Sequence, residues 1–186
     1  MRIIKRQAAF ILAGLLSLNM LSANAMSPKS YQHYKNALVY ESVADYNSAI
    51  QELQTAISIS PDDPLLHTKL AGMYAELGQW REALKEYYTS LKYKPDDAFV
   101  YISIGNILQQ NGDYDGALDA YMHAMDIFPD YKYNYLNIAS IKSLKGDAKG
   151  AADYYNKFLY YYPDHVATRE NLAATFLVMN EPDKAV

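Results

Sequence analysis

Residues 61–95 read PDDPLLHTKLAGMYAELGQWREALKEYYTSLKYKP, and this stretch decides the fold. Leu66, Leu70, Met73, Tyr74 and Leu77 recur at helical spacing, and Gly78 breaks the run. Ala83, Leu84, Tyr87, Tyr88 and Leu91 then resume it until Pro95 removes a backbone donor and stops the helix. The stretch predicts helix, turn, helix.

Outward from it the same marks recur at one constant interval. Pro61, Pro95, Pro129 and Pro163 follow one another at that interval, and Ala49, Ala83, Ala117, Ala151 and Ala185 keep the same step. The unit after Pro95 repeats the arrangement with Tyr101, Ile104, Gly105 and Leu108, a break at Gly112, and then Ala117, Leu118, Tyr121 and Ala124. Small residues at Ala37, Ala71, Gly105, Ala139 and Ala173 let paired helices approach closely, while rings at Tyr87, Tyr121 and Tyr155 fill the space beside them. The pairs Asp62-Asp63 and Asp96-Asp97 suit the start of each following helix, where carboxylates accept from free backbone N–H groups.

An aromatic, a Leu-Gly pair, a Tyr, an Ala, a second aromatic, a second Ala and a Pro at these offsets resemble the tetratricopeptide repeat. The resemblance divides residues 26–186 into four units, 30–63, 64–97, 98–131 and 132–165, with part of a fifth at 166–186. It implies an all-α fold, a right-handed superhelical solenoid of antiparallel helix pairs, and a binding scaffold whose ligand is open. Two positions depart from the pattern, Lys142 and Phe158, so a local packing shift is expected in the fourth unit.

Residues 1–25 differ from the rest. Arg2, Lys5 and Arg6 precede an apolar run from Ala8 to Leu21, followed by Ala23-Asn24-Ala25. A basic start, a short apolar core and a small-x-small site make a signal peptide with cleavage after Ala25, so the expectation is export to a periplasm or the outside. The run is shorter than the ~20 residues that a spanning helix needs. With no cysteine, the chain has no disulfide framework and no thiol chemistry. Cleavage removes three of 17 basic residues and none of 21 acidic ones, leaving 14 against 21, a net charge of −7. That field disfavours nucleic acid as a partner.

No catalytic motif stands out. G-x-S-x-G, G-x-x-x-x-G-K-[ST], G-x-G-x-x-G after a strand and H-E-x-x-H are all missing. His33, His67, His123 and His165 have no companion ligands at metal-binding spacing and read as helix-packing rings, so neither a metal nor a cofactor is expected. Asp113, Asp115 and Asp119 read as solvated charge. Among 19 tyrosines, the run Tyr160-Tyr161-Tyr162 cannot all face inward from one helix.

The resemblance further implies that the first helix of each pair lines a concave groove. Its groove offsets fall on Tyr31 and Tyr34, on Thr68, on Phe99, Ile102, Asn106 and Gln109, on Tyr133, Asn137 and Ser140, and on Glu170 and Asn171. Carboxamides there can bond a peptide backbone or a neighbouring helix, and both readings stand. The family's best-known peptide binders clamp a terminal carboxylate with lysine and arginine, whereas Tyr34, Thr68 and Ile102 occupy the key lysine's offset here. The expected function is a non-catalytic scaffold holding a peptide segment of another protein. Two alternatives are self-assembly through an open edge at Leu172, Phe176 and Val178, and glycan binding on aromatic rings.

Overall fold

A computed structural model of the chain describes residues 26–180, so the signal-peptide expectation lies outside the described residues. Those residues form helices and turns with no strand. The helices are α1 (Pro28–Ser42), α2 (Tyr46–Ile59), α3 (Pro64–Glu76), α4 (Trp80–Tyr93), α5 (Ala98–Gln110), α6 (Tyr114–Ile127), α7 (Asn134–Leu144), α8 (Ala148–Tyr161) and α9 (Val166–Val178). They fall into two compact units, one of the described residues up to Tyr93 and one of those from Lys94 onward. No described helix is long and apolar enough to cross a membrane.

The punctuation of the sequence is realised atom by atom. The second Asp of each pair caps a first helix: Asp63 accepts from the Leu65 N–H, and Asp97 accepts from those of Phe99 and Val100. Asp45, Asp113 and Asp147 cap second helices by accepting from Ser48, Gly116 and Gly150. Each turn inside a described pair passes through a left-handed residue, Ala44, Gly78, Gly112 or Gly146, and Asn180 after α9 keeps the same interval, with φ between 58° and 79° across the five. At the first four the chain closes as a Schellman turn, Asp45 donating back to the Tyr40 carbonyl at the first. Gln79, Asp113 and Asp147 donate back to the carbonyls of Tyr74, Leu108 and Lys142, satisfying acceptors that the helix end leaves free.

In the first unit the core is Ala37, Ala49, Ile50, Leu53, Ala56, Leu66, Leu70 and Met73, flanked by half-buried Tyr34, Tyr46 and Tyr74. Paired alanines bring helices together and larger aliphatic side chains fill between them. Two hydroxyls occupy equivalent seams: Ser30 donates to the Ala56 carbonyl at 2.9 Å, and Ser90 donates to the Pro64 carbonyl at 2.9 Å.

In the second unit Ala117, Tyr121, Ile138 and Ile141 form one cluster, and Ala139, Ala151 and Tyr155 another. The departures in the fourth repeat have a local cause. Position 131 is Tyr where Asp63 and Asp97 stand two repeats and one repeat earlier, so the carboxylate cap is lost. Helix α7 starts only at Asn134, is 11 residues long, and its first residue is preceded by Tyr133 without a side-chain cap. Phe158, in place of a small residue, is fully buried. In the next repeat His165 restores a cap, its Nδ1 accepting from Thr168.

Candidate functional site

The candidate groove residues lie on first helices or at their starts, and their surroundings separate them into two groups. Tyr31, Phe99 and Tyr133 are exposed by 50%, 56% and 46%, and Asn106, Glu170 and Asn171 are exposed as well. Tyr34, Thr68, Ile102, Gln109, Asn137 and Ser140 are half-buried.

In the first unit the Tyr31 and Tyr34 rings stack at 6.2 Å, with the Lys35 ammonium 5.4 Å from the Tyr31 centroid. Tyr34 also packs against the core. Thr68 is committed to its neighbour: Ser90 gives its proton to Pro64, so the Thr68 hydroxyl donates to Ser90 Oγ at 2.7 Å. His33 and His67, one repeat apart, each meet a carboxylate, Nδ1 to Glu52 Oε2 at 2.6 Å and Nδ1 to Glu86 Oε2 at 2.7 Å. The buried His67 also places Nε2 2.9 Å from the Pro61 carbonyl. Both of its partners are acceptors, so the ring is held between two oxygens. These histidines act as packing rings tied to acids. Among the described residues no group of three or more His, Cys, Asp or Glu could hold a metal ion.

In the second unit the amides meet a tyrosine. The Tyr121 hydroxyl lies 2.7 Å from Asn106 Oδ1 and 2.9 Å from Gln109 Oε1, and Gln109 Nε2 reaches Ser140 Oγ at 3.4 Å. One phenolic proton serves a single acceptor, so one of the two carboxamides presents its N–H₂ to the oxygen instead. Burial pushes the Tyr121 phenol up to about 12, which keeps it a donor at any ordinary pH. For Asn106, Gln109 and Ser140 the structure therefore realises bonding to a neighbouring side chain. Ile102 packs against the cluster around Tyr121.

Tyr133 belongs to a group that helix-face counting does not find. Its ring lies 6.0 Å from Tyr131, 5.5 Å from Tyr162 and 5.4 Å from the buried Phe158. Phe99 in turn lies 5.5 Å from Tyr131 and 6.0 Å from Phe128. Phe128, Tyr131 and Tyr162 come from turns; Phe128 and Tyr162 each stand one residue before a repeat proline, which was the available signal, while Tyr131 stands two residues after Pro129 where the earlier repeats have Asp.

The C-terminal edge is only partly open. Leu172 packs against Ala139, Ala151 and Tyr155, Phe176 is half-buried, and Val178 is 79% exposed. All three tyrosines of the 160–162 run are exposed, Tyr160 by 81%.

Comparison with known proteins gives a consistent outcome. No curated protein sequence matches the chain. Among solved structures it is similar to MamA residues 41 to the end from Desulfovibrio magneticus RS-1, with TM-score 0.80 and 16% identity over 87% of this chain and 91% of that one. It is also similar to YrrB, described as a TPR protein with an unusual peptide-binding site, with TM-score 0.73 and 14% identity over 83% and 79% of the two chains. A tetratricopeptide repeat protein from Parabacteroides merdae ATCC 43184 gives TM-score 0.73 and 17% identity over 98% and 74%. At these identities the likeness shows the fold, a helical-repeat solenoid. Three family models, each described as tetratricopeptide repeat, match residues 33–63, 62–130 and 133–165. Between them they account for most of the sequence from 33 to 165, and the chain belongs to the tetratricopeptide-repeat family.

Proposed function

We propose that the chain is a non-catalytic interaction scaffold of the cell envelope that holds a peptide segment of another protein on the first helices of its repeats. The observation that carries this reading is the unequal finish of the two helix sets. Both helix sets bury recurrent small residues and second helices expose Tyr88, Tyr160 and Tyr161, but first helices and the turns before them expose rings together with carboxamides, at Tyr31, Phe99, Asn106, Tyr133 and Asn171. Large rings of low conformational cost beside donor-acceptor amides suit main-chain and side-chain recognition together. The peptide-binding site in YrrB's description supports the class of ligand. The signal-like residues 1–25 support the envelope, and the missing catalytic motifs support a binding role.

The test is retention of a defined partner from envelope extract by immobilised protein, with Tyr31→Ala/Asn171→Ala and Phe99→Ala/Asn106→Ala versions alongside. Binding lost in either version at unchanged helix content is the expected result. Retention that is indifferent to both would remove the first helices as the binding surface.

A further inference from the structure

The aromatic group in residues 94–186 forms a surface strip that shares Phe99 and Tyr133 with the groove assignment and adds Phe128, Tyr131 and Tyr162 to them. From Phe99 through Tyr131 and Tyr133 to Tyr162 the ring centroids step by 5.5, 6.0 and 5.5 Å, with Phe128 beside Phe99 and the buried Phe158 beneath Tyr133 and Tyr162. Phe99, Phe128, Tyr133 and Tyr162 are exposed. The helix-end placement explains the exposure, because these rings sit where one helix stops and the next starts.

Along the path from Phe99 to Tyr162 adjacent rings are tilted, 65° and 71° at Phe99 and then 40° and 39° along the tyrosines, while Phe128 and Tyr131 beside it stack at 21°. Tilted neighbours leave notches between their faces. A pyranose stacks best on one open flat face, whereas a pyrrolidine ring wedges between two inclined ones. The polar groups on the strip are the hydroxyls of Tyr131, Tyr133 and Tyr162. A proline-rich backbone has carbonyls and almost no N–H, so hydroxyl donors are what it requires. The path from Phe99 to Tyr162 is at most about 17 Å, the length of about five residues of polyproline II at ~3.1 Å each.

Charge adds a second constraint. Residues 94–186 hold eight Lys and Arg against 13 Asp and Glu. Asp96, Asp130 and Asp164 recur once per repeat in the turns that carry the rings; the side chains of Asp130 and Asp164 are 85% and 97% exposed and meet the chain's own Lys132 and Arg169 at 3.2 and 3.4 Å, surface pairs that an incoming lysine or arginine can replace at little cost. Such a rim attracts basic residues.

We infer that this strip binds a proline-rich segment in the polyproline II conformation, flanked by lysine or arginine. The inference rests on the peptide-scaffold reading and names its ligand class. The test uses the whole chain with three labelled probes: an oligoproline flanked by lysines, a proline-free peptide of equal length and charge, and chitohexaose. Saturable binding of the oligoproline is expected, weakened at least about tenfold by Phe99→Ala or Tyr133→Ala and unchanged by Tyr88→Ala. Tyr133→Phe, which keeps the ring, reads the hydroxyl's share by a smaller loss. Binding of the proline-free peptide alone would overturn the inference while sparing the scaffold reading. Chitohexaose binding lost in the same variants would reassign the strip to glycan, and no peptide binding at all would remove both readings.

Discussion

A Cβ placed on Gly105 would stand 2.5 Å from Cε1 of the Tyr121 ring, and 2.8 and 2.9 Å from two further ring atoms. Here the paired helices α5 and α6 touch backbone to ring, and the buried ring has nowhere to retreat. Helix propensity alone would favour alanine by about 1 kcal/mol, while forcing a methyl against a fixed ring costs about 1 to 3 kcal/mol. Gly105→Ala should therefore destabilise the protein. A urea midpoint that rises or stays put would show that the ring can move aside.

The same tyrosine links the core to an exposed amide. Tyr121→Phe removes the hydroxyl that meets Asn106 and Gln109, and a cost of about 1 kcal/mol is expected. The pH dependence has a definite sign. Burial raises the folded-state value to about 12 from 10.0, so the folded protein keeps its phenolic proton where the unfolded chain has lost it. The contribution is fully present below pH 10 and is lost as pH rises from there through about 12. Alkaline unfolding curves should be less steep in Tyr121→Phe, and Tyr155, also raised by burial, should supply part of what remains. Equal slopes for the two proteins would contradict this.

Ala44 sits at φ 58°, where Gly78, Gly112 and Gly146 stand in the following repeats. A left-handed alanine costs about 1 to 2 kcal/mol through its Cβ, partly recovered because glycine gains unfolded-state freedom. Ala44→Gly should stabilise the first helix pair by a few tenths to about 1 kcal/mol. Gly112→Ala, the reverse change at an open position, should destabilise by a similar amount. Thermal unfolding of the two variants decides it, and shifts in the same direction would refute the argument.

The helix pairs are legible because one constant interval repeats five kinds of mark, and each mark has one physical use. What stays hidden depends on partners. Thr68 and Asn106 share a face with exposed residues, yet Ser90 and Tyr121 from the paired helices engage them, and spacing within one helix says nothing of what the other helix offers. The pattern places the shift in the fourth repeat at Lys142 and Phe158, whereas the missing Asp at Tyr131 supplies a simpler cause for the late start of α7. The aromatic strip escapes the pattern because three of its rings lie in turns, outside the helix offsets that map a groove.

His67 and His33 make the last comparison, because one contact is repeated in two environments. Each ring meets a glutamate at nearly the same distance, but the His67 and Glu86 side chains are 7% and 16% exposed against 28% and 24% for His33 and Glu52. His67 alone has a second acceptor, the Pro61 carbonyl, and its ring stacks at 6.0 Å on Tyr93. Replacing it with Phe keeps the ring but strands Glu86 and a turn carbonyl, a loss of about 1 to 3 kcal/mol. At the more open first site, solvent reaches Glu52 and Asn36 Nδ2 still donates to it at 3.4 Å, so the cost of His33→Phe should be about 1 kcal/mol or less. The combination His67→Phe/Glu86→Leu removes the stranded charge and should recover part of the loss. Equal costs at the two histidines, or no recovery in the double variant, would mean that the acid contacts are incidental and that ring packing alone holds these seams.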